Sequence, residues 1–123
     1  MSLIVSHKIR QREFGANISA DELDILNRST RVALATPIAG KGLPAGTRLL
    51  KAYATTSQGP RRIVYLLAVD DGSLFLLFYR DKGDEVGANI TPKNPAFAAQ
   101  LKKHLSLLAS DIETGNCEEF PLS

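Results

Sequence analysis

Cysteine, histidine and tryptophan are almost missing from this chain: of 123 residues one is Cys, two are His and none is Trp. Cys117 stands alone in a polar, acidic stretch, which excludes an intrachain disulfide framework and a cysteine metal site. His7 and His104 lie far apart with no metal-ligand spacing around either, so neither a metal nor a cofactor is expected. Long apolar runs are lacking too. Ile63 to Val69 and Leu74 to Tyr79 are the longest and fall well short of the roughly 18 to 20 residues that cross a bilayer, so no membrane partner is expected. Met1-Ser2-Leu3-Ile4-Val5 precedes His7, Lys8, Arg10 and Arg12, the reverse of the charged-then-apolar order of a secretory signal, and the expected location is the cytoplasm.

What is present suffices for one domain spanning residues 1–123, since 44% of the chain is hydrophobic. The net charge of +2 conceals larger local imbalances. Residues 41–82 carry Lys41, Arg48, Lys51, Arg61, Arg62, Arg80 and Lys82 against only Asp70, Asp71 and Asp81, whereas residues 83–123 are net acidic. The centre is basic and the end acidic.

Leu3 to Ile9 alternates well enough to predict a first strand that carries His7. Ser19 followed by Glu22 is a capping box, and Leu23, Leu26, Thr30 and Ala33 continue at helical spacing until Thr36-Pro37. Ala39 to Gly46, with three glycines and a proline, is a loop holding Lys41. Thr47 to Thr55, Arg62 to Val69 and Ser73 to Arg80 are strand-like, and Asp70-Asp71-Gly72 is a tight-turn signal, so a three-stranded antiparallel meander is expected. Both parities of the last two strands are apolar, which predicts a sheet covered on both faces. Asn94-Pro95 opens a second helix with the stripe Phe97, Leu101, Leu105, Leu108 and Ile112, ending at Gly115. The residues from about 116 onward read as a short acidic tail. The expected fold is α+β: an antiparallel sheet made of the first strand and the meander, with two or more helices.

The basic groups fall at strand ends, Arg48 and Lys51 on the first meander strand, Arg61 and Arg62 at the start of the second, and Arg80 and Lys82 at the end of the third. Antiparallel pairing brings such ends together, and arginine forks, lysine point charges and the rings of Tyr53 and Tyr79 suit the phosphates and bases of RNA. Solvation of strand ends is the plainer alternative. His104 adjoins an apolar helix stripe, which favours packing over catalysis, and Asp81, Asp84 and Glu85 read as a solvated turn.

Three segments together resemble the core of RelE/HigB-type toxins: residues 42–51 (GLPAGTRLLK), 59–66 (GPRRIVYL) and 75–82 (FLLFYRDK). The resemblance covers about residues 37–105. It implies a RelE-like fold and the toxin of a type II toxin–antitoxin system, a ribosome-dependent endoribonuclease that cleaves mRNA and stops translation. It further implies a cognate antitoxin, the ribosome and mRNA as partners, with a monomeric free toxin and a hetero-oligomer with the antitoxin. Cleavage of this kind needs no metal, because the ribose 2′-hydroxyl attacks its own phosphodiester once its proton is removed and the crowded phosphate is stabilised. Carried over, the resemblance implies a catalytic set of Lys51, Arg61, Tyr79, Arg80 and Lys82, and RNA contacts from Lys41, Arg48, Tyr53 and Arg62. The ending Tyr79-Arg80-Asp81-Lys82 has one residue more than the family's Tyr-x-Lys, so Arg80 and Lys82 compete for one role, and a bulge in the strand would decide which face each takes. ParE-like relatives, which inhibit DNA gyrase, and a non-enzymatic RNA-binding module are the alternatives.

Overall fold

A computed structural model of the chain describes residues 1–122. In chain order its elements are β1 (Ser2–Ser6), α1 (His7–Phe14), α2 (Ala20–Leu34), β2 (Pro37–Ile38), β3 (Thr47–Thr56), β4 (Gly59–Ala68), β5 (Leu74–Asp81), α3 (Pro95–Thr114) and β6 (Cys117–Pro121). The fold is α+β, and the six strands form one sheet in the order β2-β3-β4-β5-β1-β6.

The meander forms as its turn chemistry dictates. A two-residue Ser57-Gln58 turn with Gly59 at φ 106° joins β3 to β4, and Gly72 at φ 73° serves the next turn. Both long helices start on the signals in their sequence. Ser19 and Glu22 make the reciprocal capping box of α2, and Asn94 caps α3 ahead of Pro95.

Three expectations are corrected. The sheet is mixed rather than antiparallel throughout, because β1 lies parallel to β5 (Leu3 beside Leu74, Ile4 beside Phe75). The first strand ends at Ser6 instead of Ile9, since the Ser6 side chain accepts the Ile9 amide and starts a helix that takes His7 out of the sheet. Asp111 of α3 fixes this break, accepting the Ser6 hydroxyl and the Lys8 amide (2.8 Å) at the α1 start. The acidic tail is a strand: Cys117 to Pro121 pair with β1 from Ser6 back to Ser2, while Ser123 lies outside the described residues.

Both faces of the sheet are covered, by different helices. On the α2 face, Leu26 and Ala33 pack with Leu50, Ala52, Ile63, Tyr65 and Leu76. On the α3 face, Phe97, Leu101 and Leu108 pack with Leu49, Val64, Leu66 and Phe78, and Ile9 of α1 joins them. This double burial is what the apolar residues at both parities of β4 and β5 reflect.

Tyr65 fastens α2 to the sheet. Its ring is fully buried and its hydroxyl donates to the Leu26 carbonyl at 3.0 Å, and burial pushes the phenol well above its ordinary value. Tyr65→Phe should cost about 1 kcal/mol, the usual net worth of such a bond, read as a lower urea midpoint at unchanged slope.

Candidate nucleic-acid interface

Strand alternation sorts the basic residues onto two faces, and one bulge sets the sorting. Tyr65 pairs with Leu76 but Val64 pairs with Phe78, so Leu77 is the extra residue of β5. Beyond it Arg62 lies opposite Arg80 and Arg61 opposite Asp81. Arg62 and Arg80 therefore share the α3 face with Phe78, whereas Arg61 shares the α2 face with Tyr79. Arg80 lies within β5, and Lys82 lies past its end in an exposed turn.

Tyr53, Arg62 and Arg80 form a row across β3, β4 and β5, because Tyr53 pairs with Arg62 and Arg62 with Arg80. Lys51 stands two residues from Tyr53 on the same face. Its Nζ lies 5.3 Å from the Tyr53 ring centroid, and the Arg62 guanidinium carbon lies 4.9 Å from it. The ring is 55% exposed. The Lys51 ammonium, interacting with the phenol oxygen, holds the Tyr53 phenol below its ordinary value against a smaller opposing effect of burial, and the charge of Arg62 adds to the lowering.

Arg80 is differently placed. Its Nε and Nη2 donate to the two oxygens of Glu13 at 2.7 and 2.8 Å, and Nη1 donates to Asp84 at 3.3 Å. The Glu13 side chain is fully buried, and His104, also fully buried, places Nε2 3.2 Å from its second oxygen. The other ring nitrogen of His104 faces the Gln100 carbonyl at 2.8 Å. Glu13 also accepts the Tyr79 amide at 2.8 Å. That bond has a topological cause: β1 turns into α1 after Ser6 and leaves the far half of β5 without a strand beside it, and the carboxylate takes the place of the missing strand.

Asp84 completes the cluster from the loop after β5, where its Oδ1 also accepts the Val86 amide at 2.8 Å. The loop presses on the strand. A side chain at Gly87 would collide with the Asp81 carbonyl, and the loop's Ala88 carbonyl accepts from Arg62 at 2.9 Å. The turn expected to be merely solvated thus ties β5 to Arg62.

Burial pushes the Glu13 carboxyl up, but the bonds from His104, Arg80 and the Tyr79 amide outweigh it and hold the group below its usual 4.5. Asp111 is likewise held down, burial being outweighed by the Lys8 amide and the Ser6 hydroxyl. A carboxyl depressed in the folded state adds stability above its unfolded value and loses it as pH falls through the folded one. Urea-unfolding free energy should accordingly be level from about pH 7 to 5 and fall below about pH 4.5, with a shallower fall in Glu13→Gln.

The remaining expected residues are dispersed. Tyr79 is 9% exposed, stacked on Phe14 with centroids 4.9 Å apart, and Arg61 covers its ring at 5.9 Å while pairing with Asp81 at 3.4 Å. These two line a cavity beside the start of α2, on the face opposite Tyr53. Arg48 is exposed at the other end of β3, about 17 Å along the strand from Tyr53 at ~3.3 Å per residue, and Lys41 is exposed in the loop before it. Of the nine residues singled out from sequence, Lys51, Tyr53, Arg62 and Arg80 come together. Glu13 and Asp84 were missed as the partners of Arg80, and no local pattern marks Glu13, a single acid in a basic segment.

Among the described residues no group of three or more His, Cys, Asp or Glu side chains is arranged to hold a metal ion, and no helix is long and apolar enough to cross a membrane. No protein-family model, no curated protein and no solved structure matches the chain.

Proposed function

We propose that this protein is a RelE/HigB-like toxin that binds RNA on the uncovered part of its α3 face and cleaves mRNA on the ribosome. The observation that carries the reading is the exposed Tyr53 ring with Lys51 and Arg62 both drawn over it. A flat ring flanked by two cations suits a base and its adjoining phosphates, and the order of the three toxin-like segments supports the same conclusion.

In this reading Arg62 holds the scissile phosphate and Lys51 stabilises the charge that builds on it. The 2′-oxygen attacks phosphorus as the bond to the 5′-oxygen breaks, and the leaving oxygen takes a proton from the Lys51 ammonium or from water, giving a 2′,3′-cyclic phosphate and a 5′-hydroxyl. Tyr53 stacks the adjoining base or, in its phenolate form, accepts the 2′-proton. Arg80 acts as a positioning residue, held by Glu13 and Asp84, and Arg61 and Tyr79 stand outside the site. The partners are the ribosome, mRNA and a neutralising antitoxin, and the working compartment is the cytoplasm.

Brief expression followed by mapping of 5′ ends on translated messages, with DNA supercoiling assayed in the same cells, tests the reading. New 5′-hydroxyl ends within translated frames are expected. Intact messages with inhibited supercoiling would replace it with a ParE-like gyrase inhibitor, and intact messages with normal supercoiling with a non-enzymatic RNA-binding module.

A further inference from the structure

The sheet has an unfinished edge. β2 is two residues long and pairs only with Leu49 and Leu50, and the Lys51 amide donates outward to the Thr36 carbonyl at 3.1 Å. Strand groups alternate in direction, so the amides and carbonyls of Tyr53 and Thr55 also point outward, whereas those of Ala52 and Ala54 point to β4. Among the described residues Tyr53 and Thr55 have no backbone partner on that side. Such a row is a template for another strand.

The two flanks of this edge differ in chemistry. On the α3 face stand the cations Lys51 and Arg62, gathered over Tyr53. On the α2 face a cavity of about 300 Å³ separates the edge from Ile25, Ser29 and Val32 of α2, Val32 being 53% exposed. Arg28 also lines it, but its charge is matched by Asp24 at 3.1 Å.

We propose that this edge takes an extended segment of a partner protein in which acidic and apolar side chains alternate. Strand addition pairs its backbone with Tyr53 and Thr55. The period of two sends its carboxylates to Lys51 and Arg62 and its apolar side chains into the cavity beside Val32. The inference goes beyond the RNA reading and does not depend on it. Where that reading holds, the bound segment covers Tyr53 and excludes RNA, so one partner both docks and inhibits.

Amide hydrogen exchange of the full chain, titrated with the capped peptide Val-Glu-Val-Glu-Val-Glu-Val and no RNA present, tests it. Exchange at Tyr53 and Thr55 should slow at least about tenfold, while Ala52 and Ala54, bonded to β4, stay unchanged. Thr55→Pro removes an outward donor that β4 does not use, and should weaken peptide binding about tenfold with Ala52 and Ala54 protection intact. The lysine counterpart Val-Lys-Val-Lys-Val-Lys-Val should leave exchange unaltered. Unchanged exchange at millimolar acidic peptide would overturn the proposal, as would equal protection by the lysine peptide. Protection that rises with protein concentration alone would assign the edge to a second copy instead.

Discussion

Glu13→Gln should destabilise the fold by about 3 kcal/mol, a large fraction of the 5 to 15 kcal/mol typical of a domain this size. The carboxylate is fully buried and answers three donors: the Arg80 guanidinium, the His104 ring and the Tyr79 amide. Glutamine keeps an oxygen for one of them but turns an NH2 group toward a cation, and Arg80, only 21% exposed, keeps its charge with only Asp84 opposite. Removing one partner of a buried pair costs more than the pair is worth, because the survivor stays desolvated. Arg62, facing Arg80 across β4 and β5, would then meet a guanidinium balanced by Asp84 alone.

A double-mutant cycle separates these effects. Glu13→Gln combined with Arg80→Gln should cost clearly less than the two single changes added together, because no charge is stranded. Equal additivity in urea-unfolding free energies would mean that the network contributes nothing beyond its separate bonds. Under the RNA reading, any loss of cleavage in Glu13→Gln should appear below the temperature at which the variant unfolds if Arg80 positions Arg62, and only above it if the role is purely structural.

The legible part of this fold was local. The capping box at Ser19 and Glu22, the Asn94-Pro95 start and the Asp-Gly turn are short-range chemistry, and each element they predict is present. What escaped was set by distant contacts. Ser6 stops β1 because Asp111, more than a hundred residues on, accepts its hydroxyl, and an acidic tail becomes a strand because β1 offers an edge. The site shows the same division. Tyr53 with Lys51 two residues away is readable as one strand face, but the bulge at Leu77, which puts Arg80 rather than Tyr79 on the face of Arg62, leaves no mark in a run where every residue from Leu74 to Tyr79 is apolar. Resemblance to a toxin core pointed to the end of β5. The exposed ring and the two cations drawn over it lie on β3 and β4.

That difference of place yields the larger functional prediction. Under the RNA reading, Lys51→Ala with Arg62→Ala should slow mRNA cleavage about 10²- to 10³-fold, the usual loss when positioned cations leave a developing charge. Arg61→Ala, on the opposite face, should leave the rate near wild type. Tyr53 divides into two roles by a pair of changes. Tyr53→Ala removes ring and phenol together. Tyr53→Phe keeps the stacking surface but no proton acceptor, so unchanged RNA binding with cleavage down about 10²- to 10⁴-fold would assign it to proton transfer. Retained cleavage in Tyr53→Phe and weaker binding in Tyr53→Ala, by about 1 to 3 kcal/mol, would assign it to base stacking. The charges give a further check, since RNA affinity should fall less steeply with salt once Lys51 and Arg62 are gone, the slope dropping by about 0.7 for each phosphate of a single strand that is no longer neutralised. A slope that stays unchanged in the double variant would place the RNA elsewhere, at the exposed Arg48 and Lys41 end of β3 or across the Arg61 and Tyr79 cavity on the other face.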